Sequence, residues 1–228
     1  PVCYQGFKAK TVRSGKLRSL GTDRDLRPLY DQMEPLKYDV VICPHCGYAA
    51  LTRFFGGLTA GQIKAIKENI SANFHPVKEE KETYTYEEAL YRYKLCLANT
   101  IVKHGKVSEK AYICLKAGWL LRSMGENLDP AVEDYNKKIQ EIKEQEKDFL
   151  KNALDGLITA RQTESYPICG MDEVTLEYLI AVLAMEFEKY DISSRLIYNI
   201  LNTPTVNNRI KDKAREVKDE LLQQMGKK

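Results

Sequence analysis

The chain has 228 residues, 43% of them hydrophobic and 29% charged, and 35 Lys and Arg against 32 Asp and Glu give a formal net charge of +3. This composition is typical of an ordinary soluble domain, and it excludes a wholly disordered chain or a globally polycationic nucleic-acid binder. The longest apolar run, Leu179–Met185, is far shorter than the roughly 20 residues that cross a bilayer, so we expect no transmembrane helix and no membrane partner.

The N-terminal part of the chain carries the excess of positive charge. Residues 1–60 contain nine Lys and Arg and five Asp and Glu, a net of +4, which leaves −1 for residues 61–228. Strand-like stretches at Gly6–Val12 and Tyr38–Ile42, with a possible hairpin turn at Ser14-Gly15, predict a small β-rich module over residues 1–57.

After residue 57 the apolar spacing changes to that of amphipathic helices, which predicts a second, helical domain over residues 58–228. Asp129-Pro130 predicts the start of a very long helix that ends near Arg161, and three shorter helices follow it. Six or seven helices with short connections indicate an all-α repeat or bundle. Four helices precede these three shorter ones, the long helix being the last of the four. Their predicted N-caps are Thr59, Thr85, Ser108 and Asp129.

The strongest local motif is Cys43-Pro44-His45-Cys46-Gly47, a tight turn whose two thiolates can reach one tetrahedral ion. Cys3 offers a third ligand, because Pro1-Val2-Cys3 is similar to the end of a second Cys-Pro-Val-Cys knuckle. We therefore expect the fourth ligand of a structural zinc site to be a cysteine just upstream of Pro1, in a chain that is processed or truncated. The alternatives for the fourth ligand are His45, His75 and Cys169.

A zinc ion with four protein ligands leaves no open position for substrate, so its expected role is to stabilise a module too small to hold a core. The alternative is that Cys43 and Cys46 are unligated turn residues. Cys96 and Cys114 lie on apolar helical stripes and are expected in the core. Six unevenly placed cysteines favour a reducing compartment, and we expect a cytoplasmic protein.

The sequence shows no phosphate-binding glycine loop, no His-Glu-x-x-His motif and no serine nucleophile elbow. Three histidines also leave little capacity for general-base catalysis. We therefore expect a protein that is not an enzyme.

A run of basic residues without an acid occupies residues 8–18. On a two-stranded ribbon these side chains would share a face and bind nucleic-acid phosphates, although a solvated hairpin or pairing with nearby aspartates is the alternative. The five residues are Lys8, Lys10, Arg13, Lys16 and Arg18.

The segments Lys10–Arg18 and Tyr38–Ala49, with Cys43-Pro44-His45-Cys46 inside the second, resemble the bacterial domain-of-unknown-function family 2225. That family usually starts with a full Cys-Pro-x-Cys knuckle, whose first cysteine this chain lacks. The resemblance implies a zinc-ribbon-like N-terminus and tetratricopeptide-like helices, and it implies no activity. The chain's own repeat signal, between Ile180 and Pro204, is faint, so a plain helical bundle is the alternative.

Stacked helical pairs would leave inner faces available to a partner. We therefore expect an adaptor that binds an unknown protein or peptide, with nucleic-acid binding through the 8–18 hairpin as the alternative function. Aromatic anchors are preferred at such interfaces, although the same rings could instead be core. The candidates are Tyr91, Tyr112, Trp119, Tyr178 and Tyr198.

Overall fold

The computed structural model describes residues 1–13, 15, 17–31, 33–76 and 82–226. This part of the chain forms four short strands followed by seven helices, which confirms the prediction of a mainly α protein with a small N-terminal β part. The strands are β1 (Ser19–Thr22), β2 (Pro28–Tyr30), β3 (Val40–Ile42) and β4 (Ala49–Leu51). The helices are α1 (Ala60–Asn69), α2 (Tyr86–Val102), α3 (Val107–Glu126), α4 (Tyr135–Thr163), α5 (Glu173–Glu186), α6 (Tyr190–Asn202) and α7 (Asn208–Met225).

The strands form two separate antiparallel pairs, β1 with β2 and β3 with β4. The predicted strand near residue 40 is confirmed, with Val40 opposite Leu51. The predicted strand at Gly6–Val12 is wrong, since the described residues there have no strand and β1 begins only at Ser19. Residues 8–11 alternate lysines with Ala9 and Thr11 and so offer no large apolar side chain to bury against the core.

Of the four predicted helix starts, two are confirmed and two are wrong. Thr59 and Thr85 both form capping boxes at α1 and α2. Ser108 is not an N-cap, because α3 begins one residue before it. Its Oγ and its N–H instead donate to the carboxylate of Glu164, at 2.6 and 2.9 Å, so a side chain from the end of α4 caps the first turn of α3.

The long helix α4 begins at Tyr135, not at Pro130 as predicted, and it ends close to the predicted position. The Asp129 carboxylate accepts the N–H of Ala131 at 2.9 Å, which forms a local turn that competes with the helix. Asp134, at the N-cap, has a left-handed backbone with φ of 58° and no side-chain cap bond.

The main core lies between the helices, and α5 is buried along most of its length. Helices α3 and α4 approach each other closely at two glycines. A Cβ placed on Gly118 would lie 2.6 Å from the Leu150 side chain, and one on Gly156 would lie 2.7 Å from Ala111. At these two glycines, side chains of the facing helix occupy the space that a larger residue would need.

The N-terminal residues contact the helices on two sides. Val40 and Leu51 belong to the main core, whereas Cys43 and Tyr48 belong to a smaller apolar cluster that includes Ile66 of α1. The division into domains at residue 57 and the tetratricopeptide repeat both stay predictions. None of the described helices has the length and apolarity needed to span a membrane.

A buried set of charges attaches the β1–β2 hairpin to α3. Asp25 and Arg27, in the hairpin turn, are each 3% exposed. The Asp25 carboxylate accepts the indole N–H of Trp119 at 2.9 Å and pairs with Arg122, also at 2.9 Å. Arg27 donates two hydrogen bonds to Glu126, at 2.7 and 2.9 Å.

Candidate metal centre

The Cys43–Cys46 turn lies between β3 and β4 and is held by its own backbone. The Cys43 N–H donates to the Tyr48 carbonyl at 2.8 Å, and the Gly47 N–H donates to the Cys43 carbonyl at 3.0 Å. Gly47 has φ of +70°, a conformation that glycine adopts at no steric cost. The turn therefore brings both thiols to one side of the hairpin tip.

Cys3 joins these two thiols from the N-terminal segment. Its Sγ lies 3.5 Å from that of Cys43, and all three Sγ atoms lie within 4.8 Å of one another. A disulfide would need about 2.05 Å, so the three cysteines are free thiols. Tetrahedral zinc with Zn–S bonds of about 2.3 Å separates its sulfurs by about 3.8 Å, so the spacing of these three thiols is compatible with a bound metal ion.

Cys3 and Cys46 occupy equivalent positions in their turns. Each follows a proline by two residues, and each is followed by a residue with a left-handed backbone, Tyr4 with φ of 59° and Gly47 with φ of 70°. The backbone around Cys3 thus repeats the second half of the Cys43–Cys46 knuckle.

Backbone N–H groups also reach the sulfurs at equivalent positions. Burial raises the pKa of Cys3, but hydrogen bonds from the Gln5 N–H and the neighbouring thiols outweigh it, and the net direction is downward. Burial raises the pKa of Cys46 to about 12, and the Tyr48 N–H opposes this shift only in part. Both N–H groups lie two residues after the cysteine, as expected for a turn that stabilises thiolate ligands.

Residues from the helical part fix the knuckle in place. The Ser71 hydroxyl donates to the Cys46 carbonyl at 2.7 Å, and the Asn99 side-chain amide donates to the Gly47 carbonyl at 3.1 Å. The Phe74 ring covers Gly47 so closely that a Cβ there would lie 2.5 Å from it. Sequence analysis missed these three residues, because no local pattern reveals contacts between segments so far apart in the chain.

None of the three alternatives for a fourth ligand joins the cysteine group among the described residues. His45 and His75 are exposed. The Cys169 thiol donates to the Ser108 carbonyl at 3.3 Å and packs against the main core, away from the smaller cluster. The upstream cysteine stays a prediction.

The two cysteines that were expected in the core are buried there, as predicted. Cys96 is fully buried and Cys114 is 5% exposed. Burial raises their pKa values to about 12 and about 11 respectively. Both thiols are therefore protonated near neutral pH and act as small apolar side chains.

Of the four basic residues of this segment that the structure describes, Lys8 and Lys10 lie together. Lys8 and Lys10 line a cavity of about 650 Å³ beside β3, together with His45 and Arg92. Arg13 and Arg18 are exposed and do not line this cavity, and Lys16 lies outside the described residues. Because the described part of the segment forms no strand, the shared basic face expected from a hairpin is not present there.

The five candidate aromatic anchors do not form one exposed surface. Trp119 and Tyr178 are 5% and 3% exposed, and their polar atoms bond to the hairpin turn, so the prediction that they contact a partner is wrong. The hairpin turn therefore contacts Trp119 on α3 and Tyr178 on α5. Tyr112 is partly buried, whereas Tyr91 and Tyr198 are 47% and 68% exposed.

The model of a family described as "Uncharacterized protein conserved in bacteria (DUF2225)" matches residues 1–221. The chain belongs to this family. The match covers the cysteine cluster and nearly all of the helical part, which confirms the resemblance noted from the sequence. No curated protein and no solved structure matches the chain.

Proposed function

We propose that this protein is a non-enzymatic adaptor whose N-terminal module is held by a structural zinc ion. The observation that supports the metal is the gathering of Cys3, Cys43 and Cys46 within 4.8 Å. Thiolate ligands suit zinc, and bound zinc would act here only as a crosslink between segments that are forty residues apart.

The fourth ligand that we propose is a cysteine directly before Pro1. The turn around Cys3 repeats the second half of the Cys43–Cys46 knuckle, so the residue equivalent to Cys43 would stand at that place. A fourth thiolate would close the site and exclude water from the metal.

Zinc would stabilise a part of the molecule that has little apolar core of its own. Within the described part of the chain, the smaller cluster has six buried residues, two of which are the proposed ligands Cys43 and Cys46. Because metal binding contributes directly to folding in such modules, loss of the metal should loosen this cluster first.

Elemental analysis of the natural full-length protein tests the metal proposal. We expect one zinc per chain, loss of that zinc in Cys43→Ser, and full retention in Cys114→Ser, whose thiol lies in the main core. Stoichiometric zinc in the Cys43→Ser protein would contradict the proposed ligand set.

The adaptor role rests on the two exposed tyrosines among the five candidate anchors, Tyr91 on α2 and Tyr198 on α6. Exposed tyrosines supply contact area at low conformational cost, which suits them to protein interfaces. A photo-crosslinking amino acid at each position should capture the same discrete partner in the source bacterium. The same amino acid at Leu222, 60% exposed on α7, serves as the control. The same crosslinked species, in equal yield, from probes at Tyr91, Tyr198 and Leu222 would contradict this role.

Nucleic-acid binding is the second candidate, and the cavity beside β3 supports it. Its described lining includes Lys8, Lys10, Arg92 and His45 and no acidic residue. Cations grouped in this way attract phosphates, with a strong dependence on salt. A Lys8→Glu, Lys10→Glu double variant should abolish a salt-sensitive gel shift that Lys64→Glu leaves intact, and an unchanged shift would contradict this candidate.

A further inference from the structure

A second cavity, of about 700 Å³, lies where the loop after β4 meets the ends of three helices. We call it the Arg53 cavity. Its walls are formed by residues 53–58, by Gln62, by the α2–α3 turn at 103–109 and by residues between 164 and 170. The volume falls within the range of small-molecule sites, and none of the cysteines of the metal cluster lines it.

The two acidic side chains of the Arg53 cavity already have partners. Glu109 pairs with Lys103 at 2.7 Å, and both side chains are largely buried. Glu164 accepts the N–H and the hydroxyl of Ser108 at the start of α3. Lys103 therefore offsets the charge of Glu109, whereas the contacts of Ser108 hold the Glu164 carboxylate in place without cancelling its charge.

Three further basic residues line the cavity: Arg53, His104 and Lys106. Among the residues that the structure describes, none of the three forms an ion pair with a carboxylate. Lys106 is also the N-cap of the 20-residue helix α3, whose first turn is already capped by the Glu164 carboxylate. The cavity therefore has an excess of positive charge for an anion to offset.

The guanidinium of Arg53 is positioned by the turn at Cys169 and Gly170. Its Nη1 donates to the Cys169 carbonyl at 2.8 Å. Gly170 has φ of +78°, and a Cβ at that position would lie 2.5 Å from Arg53 Nη2. Cys169 itself has φ of 50°, so two successive left-handed residues shape the turn that holds the guanidinium.

We propose that the Arg53 cavity binds a small phosphorylated metabolite, with Arg53 and Lys106 contacting its phosphate. Guanidinium groups bind phosphate through paired hydrogen bonds, and the ammonium group of Lys106 adds a second positive charge. The cavity is much larger than an inorganic ion, and the half-buried Phe54 and Phe55 offer apolar surface to the rest of the ligand. The proposal is independent of the metal.

Calorimetric titration with AMP, adenosine and inorganic phosphate tests this site. AMP should bind at least about tenfold more tightly than adenosine, because only AMP carries the phosphate. Inorganic phosphate should compete with AMP. Arg53→Gln should weaken AMP binding about tenfold or more, whereas Arg215→Gln, an exposed arginine on α7, should leave it unchanged.

Lys106→Gln provides a second variant that does not disturb the Arg53 turn, and thermal unfolding shows whether each variant is folded. Weaker AMP binding in folded Lys106→Gln supports the proposal even if Arg53→Gln misfolds. Equal affinity for AMP and adenosine, no measurable binding of AMP, or unchanged binding in both folded variants would overturn it.

Discussion

Gly47 shows how a single residue links the cysteine knuckle to the helical part. Its positive φ completes the turn, and the Phe74 ring occupies the space that any side chain would need. Its carbonyl also accepts a hydrogen bond from Asn99 of α2 at 3.1 Å. Turn geometry and packing thus impose the same requirement for glycine.

Gly47→Ala should lower the free energy of unfolding by about 1–3 kcal/mol, because the left-handed backbone and the contact with Phe74 both oppose a methyl group. Urea unfolding measures this change. The control is Gly61→Ala, whose Cβ would meet open space in α1 and which should be neutral or slightly stabilising. Equal stability of the two variants would contradict this account of the knuckle.

The chemistry of individual residues was predictable where it depends on local spacing. Cys43 and Cys46 lie on one turn, so their convergence follows from the sequence, and Cys3 was found by its similarity to that turn. The burial of Trp119 and Tyr178 does not follow from the sequence, because helical spacing does not show which segment covers a given face. Here the covering segment is the β1–β2 hairpin, far away in the chain.

The packing of α3 on α4 depends on glycine at the helix contact. Gly156→Ala should destabilise the protein by about 1–3 kcal/mol, because the new methyl would lie 2.7 Å from the Cβ of Ala111. Gly125→Ala is the matched control within the same pair, since its nearest neighbour would be at 3.5 Å. Denaturant unfolding should show that Gly125→Ala is at least as stable as the wild type. A Gly156→Ala protein more stable than Gly125→Ala would refute the close-packing argument.

The N-cap of α5, Asp172, makes a pH-dependent contribution to the stability of the folded protein. Hydrogen bonds from the Thr175 hydroxyl and N–H lower the pKa of Asp172, so its ionised form stabilises the folded state. Asp172→Ala should cost about 1 kcal/mol at neutral pH. This stability is present above the ordinary carboxyl pKa of 3.8 and is lost as the pH falls through the lower folded-state value.

Thermal unfolding between pH 7 and pH 2 checks this prediction. The difference between the wild type and Asp172→Ala should shrink below about pH 4. Asp172→Asn should retain most of the neutral-pH stability, because asparagine also caps helices. A difference that stays constant down to pH 2 would rule out the carboxylate as its source.

Helix starts with reciprocal side-chain caps were predictable, since Thr59 and Thr85 carry the whole signal within four residues. The starts of α3 and α4 were not. Helix α3 is capped by Glu164 from another helix, and α4 is delayed by a turn at Asp129 that competes with an equally plausible helical start.

At the scale of the whole molecule, buried ion pairs connect the N-terminal hairpin to the helices. Arg122→Met should cost about 3 kcal/mol, because it leaves the buried carboxylate of Asp25 without its cation. Arg215→Met, on the exposed pair with Asp212, should change stability by less than about 1 kcal/mol. Similar losses from both variants, measured by urea unfolding, would show that this network does not fix the hairpin.

The sequence predicts a mainly helical protein with a cysteine-bearing N-terminal part, but it does not predict how the two meet. The β1–β2 hairpin reaches α7 through an ion pair between Arg24 and Glu220, and Tyr178 of α5 donates to the Arg24 carbonyl at 3.1 Å. Such contacts depend on the complete fold and leave no periodic pattern in the chain.

X-ray absorption at the zinc edge of the natural full-length protein tests the central claim most directly. The account predicts one zinc per chain with a first shell of four sulfur atoms at about 2.3 Å, three of them from Cys3, Cys43 and Cys46. A shell of nitrogen and oxygen only, or the absence of bound zinc, would contradict it.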